Sequence, residues 1–324
     1  MRNTVSARKG LVSRVSQYNE LGLLAVAVIL FVVFSAGSPY FLKVRNLSNV
    51  LGQISLTAIA AVGLSLLVIS GEVDLSIGSL QAVVALPLLI VMNRTGSFWL
   101  GVVPALAAGL LVGVINGLLV TKLKINSLIV TLGMLYLLRG FVYFVTGKVP
   151  ISDASNNPVF FAIGNGKLFG FLPIMAVLMI VILGVFIFVL RSTSYGRRLY
   201  AVGGNPEVTR AVGISPEKMK FSAFVLCSLL ASVSAILLAS RLNSANHMAG
   251  SGFEFQVVAA AVMGGVSLSG GTGNLVGAFI GVLIFGLIQN GMGLMNIGTM
   301  YQLVITGAII VAAVAIDELR KRRG

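Results

Sequence analysis

The sequence has few charged residues, one cysteine and one histidine, and each shortage excludes a class of protein. Asp, Glu, Lys and Arg make up 10% of the 324 residues, whereas 57% of the residues are hydrophobic. A water-soluble domain of this size cannot cover its surface with so few polar groups, so lipid must solvate much of the chain. Because Cys227 has no partner in the sequence, an internal disulfide and a multi-thiolate metal site are excluded. We expect this cysteine to be a packing residue.

The motifs of catalysis and nucleotide binding are also lacking. No GxxxxGK[ST] phosphate loop occurs, and the fragment GGTGNLVG has no lysine that would reach the phosphates of a nucleotide. His247 stands alone, without clustered metal ligands or a plausible Ser/His/Asp arrangement. We therefore expect a chain that is not an enzyme and that binds no cofactor or metal itself.

Long apolar runs are what the sequence has in abundance. Runs of roughly 18 to 25 residues are long enough, as helices, to cross a hydrocarbon core of about 30 Å. They predict an all-α fold, a polytopic membrane bundle of about ten transmembrane helices. Glycines at helical spacing, at 109, 113 and 117 in one span and at 277 and 281 in another, predict close helix packing. The predicted spans are 21–37, 48–70, 75–92, 98–121, 127–146, 171–190, 221–240, 256–268, 275–295 and 300–316.

The positions of the basic residues indicate how the chain is oriented. A net charge of +14 could suggest a nucleic-acid partner, but Lys and Arg concentrate at both termini and in the loops after the fourth and sixth spans. Cytoplasmic loops carry such residues, so we expect no nucleic acid, a lipid environment and both termini in the cytoplasm. This gives a basic segment at 1–20, a transmembrane domain at 21–317 with a cytoplasmic loop at 191–220, and a basic tail at 318–324. The first run could instead be a secretory signal peptide, although it exceeds the usual apolar region of roughly 7 to 15 residues.

Two of the spans are interrupted and indicate a pathway through the membrane. The third span begins within SGEVDLSIGS (70–79), and the eighth contains MGGVSLSGGTGN (263–274). Backbone that leaves a helix at membrane depth must be buried in protein or line a wet cavity, because lipid cannot satisfy its free N–H and C=O groups. One or both segments are therefore predicted to be broken or re-entrant.

Polar side chains near these segments are candidates for lining a solute pathway. Glu72 and Asp74 are carboxylates at the end of a span, but Asp74 or Ser76 could equally cap the next helix from a short cytoplasmic turn. Arg139 lies well inside a span and needs a partner, which could be Glu72, Asp74 or the hydroxyls of a solute. Uncharged groups, among them those of residues 131 and 289, could hydrogen-bond a polyol or a neighbouring helix. The pathway candidates are Glu72, Asp74, Ser76, Ser79, Asn116, Asn126, Arg139 and Asn290.

The loop at 191–220 contains a predicted surface helix. Asn205-Pro206-Glu207 is typical of a helix start, and Gly213 of a helix stop. Positive-inside anchoring explains the basic residues of the loop, whereas docking of a partner protein would also explain its glycines and its capped helix. The residues alone leave both interpretations open.

Three segments together resemble a known family. AVGLSLLVISGEVDLSIGS, GRRLYAVGGNPEVTRAVGI and AAVMGGVSLSGGTGNLVGAFIG are similar to the permeases of ribose-type ABC importers, a bacterial family that also serves arabinose, xylose, galactose and allose. The resemblance covers about residues 21–317. It implies an inner-membrane permease that passes a monosaccharide delivered by a periplasmic sugar-binding protein. It also implies a second permease copy, as in a homodimer, and separate cytoplasmic ABC ATPase subunits that bind the ATP and Mg.

The resemblance also assigns a role to the loop. Residues 203–214 would form a coupling helix in a groove of the ATPase, so that ATP-driven closure alternately exposes the solute path to either side. Most family members have an apolar residue near position 72, so Glu72 is a variation. The alternative function is a proton-coupled secondary transporter in which Glu72 or Asp74 carries the proton. The coupling residues are Gly203, Gly204, Asn205, Glu207, Ala211, Gly213 and Ile214.

Overall fold

The structure, a computed structural model, describes residues 2–323, with side chains from Glu20 onward except at 299, 313, 316, 317 and 319–323. Within this range the chain is mostly helical with very little sheet, which confirms the predicted all-α bundle. The helices are α1 (Arg2–Gly37), α2 (Val44–Ile69), α3 (Ile77–Thr95), α4 (Phe98–Thr121), α5 (Ser127–Thr146), α6 (Pro158–Asn165), α7 (Ile174–Ser192), α8 (Ser194–Gly204), α9 (Pro206–Ala211), α10 (Pro216–Leu242), α11 (Phe253–Met263), α12 (Leu275–Leu294) and α13 (Thr299–Arg323).

Four two-residue strands form two small antiparallel pairs. They are β1 (Ile151–Ser152), β2 (Lys167–Leu168), β3 (Leu172–Pro173) and β4 (Ser244–Ala245), and β1 pairs with β4 while β2 pairs with β3. The β2–β3 hairpin occupies the start of the predicted sixth span, so that span begins at Ile174 and not at 171. The helices α6 and α8 are not among the sequence predictions.

Eight helices are long and apolar enough to cross a membrane within the described residues: α1 from Glu20, α2, α3, α4, α5, α7, α10 and α12. Helix α13 has a shorter apolar stretch at Met300–Ala312. With 11 residues, α11 spans only about 17 Å, roughly half of a hydrocarbon core. The predicted eighth span, 256–268, is therefore wrong in its extent, because the helix ends at Met263 and the glycines that follow leave the helical path.

Helix α2 forms the centre of the bundle. Nearly all of its residues from Ile54 to Ile69 are buried, and it packs against α7, α10, α11 and α12. The peripheral helices α1, α4, α5 and α7 expose large apolar side chains such as Val32, Val103 and Ile129. A helix that is apolar on every side fits a position inside a membrane bundle, and the outer ring presents its apolar surface to lipid.

The predicted glycine contacts are confirmed. A β-carbon at Gly109 of α4 would overlap the Ser232 hydroxyl of α10, and one at Gly281 of α12 would overlap the Ala260 carbonyl oxygen of α11. Small residues let the paired helix backbones approach closely, which sets the positions of the segments between them. Cys227 is fully buried, as expected of a packing residue.

Candidate functional site

The two interrupted segments predicted from the sequence leave the helical path and meet each other. Residues 70–76 connect α2 to α3, and residues 264–274 connect α11 to α12. The backbone N–H of Gly271 donates to the carbonyl oxygen of Ile69, the last residue of α2, over 2.8 Å. This bond joins residues about 200 positions apart in the sequence, so the two segments lie next to each other in the fold.

A third segment, the end of α8, completes this contact. A β-carbon at Gly203 would overlap both the Ile69 carbonyl oxygen and the Gly271 N–H, and one at Gly270 would approach the backbones of Gly71 and Gly203. Gly271 packs in the same way against Gly204. We name this contact of Gly71, Gly203, Gly204, Gly270 and Gly271 the glycine junction. Space requires glycine at 203, 270 and 271, and a φ of +73° to +88° favours glycine at 71, 270 and 271.

A tyrosine adds a second tie between α8 and the segment 264–274. The Tyr200 hydroxyl donates to the Gly273 carbonyl oxygen over 2.7 Å. Burial raises the pKa of Tyr200, so the hydroxyl stays protonated and keeps donating. Helix α8 therefore contacts both interrupted segments, through packed backbone and through this hydrogen bond.

The predicted coupling helix at 203–214 is two helices, so its predicted extent is wrong. Gly203 and Gly204 end α8, and Asn205 adopts an extended conformation with φ of −156° before α9 begins at Pro206. The Asn205 side-chain oxygen accepts the N–H groups of Glu207 and Val208, each over 3.0 Å. The predicted helix start is confirmed, since an Asn cap satisfies the first free N–H groups of α9.

Helix α9 ends as the sequence predicts and is held against α8. Gly213 has a φ of +83°, and Ile214 N–H donates to the Thr209 carbonyl oxygen over 3.2 Å, which closes the helix end. The buried Thr209 hydroxyl donates to the Ala201 carbonyl oxygen of α8 over 2.9 Å. Val208 and Val212, one turn apart, are 62% and 71% exposed. The α8–α9 corner thus exposes two apolar side chains beside the charged Glu207 and Arg210.

Asp74 lies in a buried network and not in a solvated turn. Its Oδ1 accepts the Ser76 N–H and hydroxyl over 2.8 and 2.6 Å, and its Oδ2 accepts the Asn116 amide over 3.3 Å. All three side chains are fully buried. Burial raises the pKa of Asp74, and the hydrogen bonds from Ser76 and Asn116 oppose the rise. The predicted capping role is wrong, because neither Asp74 nor Ser76 caps α3 through its side chain.

Glu72 and Asn126 line a polar cleft of about 450 Å³ between α4, α5, α9 and α10. The Glu72 carboxylate pairs with the Lys220 ammonium over 2.6 Å. Glu217, which also lines the cleft, pairs with Lys124 over 3.0 Å and bonds Arg210. The Asn126 side-chain oxygen accepts the Leu128 N–H over 2.9 Å and caps α5. The sequence predictions did not include the Glu72–Lys220 pair, since the two residues lie 148 positions apart.

The guanidinium of Arg139 is bound by backbone groups. Its guanidinium donates to the backbone carbonyl oxygens of His247 and Ala249 over 2.7 and 2.9 Å. It thereby holds the segment 243–252, which connects α10 to α11. The buried carboxylate of Glu254 packs against Gly78 and interacts electrostatically with Arg139. The alternative of an ion pair with Glu72 or Asp74 is therefore wrong, whereas contact with the hydroxyls of a solute stays a prediction.

The other candidates bind neighbouring helices. Asn290 exchanges two amide hydrogen bonds with Asn46, over 2.9 and 3.0 Å, and so joins α12 to α2. The Ser79 hydroxyl donates to the Leu135 carbonyl oxygen over 2.7 Å, and Thr131 bonds within its own helix. The structure thus gathers Asp74, Ser76 and Asn116 in one network and Glu72 and Asn126 in one cleft. It does not bring these groups together with Ser79, Arg139 or Asn290 in a single site.

A second cavity, of about 320 Å³, lies between α2, α3, α10, α11 and α12, and we name it the amide cavity. Among its lining residues the sequence predictions included only Gln289. An amide within an apolar run is a visible signal, but the sequence does not say which amides face the same space. The polar residues that line it are Gln53, Thr57, Gln81, Ser234, Ser251, Gln256 and Gln289. Among the described side chains, no group of three His, Cys, Asp or Glu residues could hold a metal ion.

Comparison with known proteins finds transport permeases as relatives of this chain. A family model described as "Branched-chain amino acid transport system / permease component" matches residues 46–314. The ribose import permease protein RbsC of Escherichia coli (strain K12) is 36% identical over 304 residues, which cover 93% of this chain and 94% of the relative. From the same organism, the L-arabinose transport system permease protein AraH is 37% identical, covering 94% and 92%, and the probable ABC transporter permease protein YphD is 39% identical, covering 94% and 91%. No solved structure matches the chain. The chain, whose glycine junction joins an exposed corner to two interrupted membrane segments, therefore belongs to the permease family of ABC transport systems.

Proposed function

We propose that the chain is the membrane-spanning subunit of an ATP-binding-cassette importer that passes a monosaccharide across the bacterial inner membrane. The names of the relatives support a pentose such as ribose or arabinose, or a similar sugar, as the solute. A periplasmic sugar-binding protein delivers the sugar, and a second copy of the chain completes a homodimer. The neutral amide and hydroxyl groups of the amide cavity suit such a solute, because they can exchange hydrogen bonds with its hydroxyls.

A separate cytoplasmic ATPase powers the transport by binding the α8–α9 corner. The glycine junction is the observation that carries this proposal, since it connects that corner to the ends of both interrupted segments. Val208 and Val212 supply an exposed apolar contact, and Gly203 passes a displacement of the corner to Ile69 without an intervening side chain. ATP and Mg bind to the ATPase and not to this chain.

A proton-coupled transporter is the second candidate, and Asp74 is the observation in its favour. A buried carboxyl group among membrane helices is a group that can carry a coupling proton. However, both oxygens of Asp74 already accept hydrogen bonds from Ser76 and Asn116, as in a structural network. The importer is therefore the better supported function.

Reconstitution tests the proposal directly. The permease is co-expressed with its candidate ATPase and binding protein, and ATP-driven uptake of D-ribose and L-arabinose into proteoliposomes is measured. The double variant Val208→Asp plus Val212→Asp is expected to lose co-purification with the ATPase, because it places charge on the exposed apolar face. The control is Lys218→Asp, an exposed change at the start of the adjacent α10.

Two results would contradict the proposal. ATPase binding that survives the double variant would reject docking at the α8–α9 corner. Uptake that needs no ATP and stops when the proton gradient is collapsed would support the proton-coupled transporter.

A further inference from the structure

The lining of the amide cavity is polar in places but carries no charge. Among the described residues that form it, none is Asp, Glu, Lys, Arg or His. The remaining wall is apolar and includes Phe253 and Phe285. Glu254, although next to Phe253 in sequence, is turned against Gly78. The cavity therefore offers hydrogen bonds and apolar faces, but no partner for an ionised group.

Gln81 of α3 is the least satisfied of the amides in this lining. Only 1% of its surface is exposed, and its Nε2 donates to the Ala231 carbonyl oxygen of α10 over 3.2 Å. Its Oε1 is buried and meets no hydrogen-bond donor among the described residues. A buried acceptor without a donor is costly, so such atoms call for an explanation. The Nε2 group fixes the amide, and Gln81 lines the cavity with an Oε1 that has no donor among the described residues.

We propose that the amide cavity binds the solute in transit, and that it selects neutral polyhydroxylated molecules, with Gln81 Oε1 accepting a hydrogen bond from a solute hydroxyl. This inference rests on the proposed function and adds the site and its selectivity. Thr57 and Gln256 lie in the same lining and supply further groups able to donate or accept. The volume of about 320 Å³ falls at the small end of the range for ligand pockets, as a single sugar requires.

The same lining selects against amino acids. A zwitterionic amino acid brings one ammonium and one carboxylate, and burial of either without a counter-charge costs far more than burial of a hydroxyl. Phe253 and Phe285 suit the C–H faces of a sugar ring, but they would leave both charges of an amino acid unpaired. The cavity is therefore expected to bind a sugar and reject leucine, despite the amino-acid name of the matching family model.

Protection of an introduced cysteine tests the proposal without any partner protein. Thr57→Cys places a thiol in the lining of the cavity, and the full-length permease in lipid nanodiscs is treated with a polar thiol reagent. Thr95→Cys, an exposed site at the C-terminal end of α3, is the matched control. The unsubstituted chain reports any labelling of the buried Cys227. The probes are D-ribose, L-arabinose and L-leucine.

We expect the sugars to slow labelling of Thr57→Cys but not of Thr95→Cys, and leucine to slow neither. Gln81→Leu in the Thr57→Cys chain should raise the half-protecting sugar concentration about fivefold or more, the effect of losing one hydrogen bond. If Gln81→Leu does not fold, Gln256→Leu removes a second group from the same lining and should weaken protection in the same direction.

The outcomes separate this inference from the proposed function. If neither sugar protects Thr57→Cys while the reconstituted importer takes up either of them, the cavity is not the solute site and the importer stands. If Gln81→Leu and Gln256→Leu both leave sugar protection unchanged, these amides do not bind the solute. Protection by leucine and not by the sugars would overturn both the selectivity and the proposed substrate.

Discussion

Gly203 packs directly against the carbonyl oxygen of Ile69, and Gly271 donates its N–H to the same oxygen over 2.8 Å. The end of α8, the end of α2 and the segment 264–274 therefore share one atom as their common contact. Since no side chain intervenes at Gly203, α8 cannot shift towards α2 without moving the backbone there. This contact connects the α8–α9 corner to the two interrupted segments of the membrane bundle.

A methyl group at Gly203 should disrupt this contact between α8 and α2. Gly203→Ala is expected to destabilise the permease by about 1–3 kcal/mol, the usual cost of overpacking, because the added carbon overlaps backbone atoms. ATP-driven uptake should fall more than ATPase binding. Gly204→Ala is the matched control, since its β-carbon would meet open space. Thermal unfolding and uptake measure the two effects, and equal behaviour of both variants would show that the contact carries no function.

Asp74 should tolerate the loss of its charge but not the loss of its oxygens. Asp74→Asn keeps an acceptor for Ser76 and can pair with Asn116, whose buried Oδ1 lacks a partner among the described residues. Uptake should remain close to that of the unsubstituted chain. Asp74→Ala leaves buried donors without an acceptor, at a cost of about 1–3 kcal/mol each. It should therefore lower stability and uptake together. An Asn side chain cannot take up and release a proton as a carboxyl group does. Abolition of uptake by Asp74→Asn in a stable protein would therefore favour the proton-coupled transporter.

Glu72 and Lys220 should behave as one unit. Their side chains are only 13% and 21% exposed, so removal of one partner leaves a half-buried charge. Glu72→Gln and Lys220→Met should each lower the free energy of unfolding, and the double variant should lose less than the sum of the two single losses. The difference is the coupling free energy, which we expect to be about 0.5–3 kcal/mol. Thermal or denaturant unfolding of the four proteins measures it. If the two single effects simply add, the pair makes no net contribution.

Arg139 should control the order of the segment 243–252. Arg139→Met removes the hydrogen bonds to His247 and Ala249, so amide hydrogen exchange in that segment is expected to accelerate. Arg139→Lys should give an intermediate rate, because an ammonium lacks the planar fork of a guanidinium. Arg94→Met, at the exposed end of α3, is the control. Unchanged exchange in Arg139→Met would show that other contacts hold the segment.

The sequence predicted the features that depend on local chemistry. Long apolar runs predicted the helical type of the membrane segments, since a membrane span needs a fixed length of apolar residues. Of the ten predicted spans, eight correspond to helices of sufficient length among the described residues. The cap at Asn205 and the stop at Gly213 follow from the hydrogen bonds and the φ that those residues provide, and both are present. Helices α2 and α11 end at Ile69 and Met263, next to the two segments that were predicted to be interrupted. The inner membrane, the side of each terminus, the homodimer and the ATPase contact stay predictions.

Only the tertiary structure decided which segments meet. No local signal joins Ile69, Gly203 and Gly271, pairs Glu72 with Lys220, or turns Gln81 towards the same space as Gln256. In a soluble protein, the alternation of apolar and polar residues would indicate which face of a helix is buried. Lipid is as apolar as the interior of the bundle, so a membrane helix such as α4 shows little such contrast, and packing alone determines which of its faces lies inside.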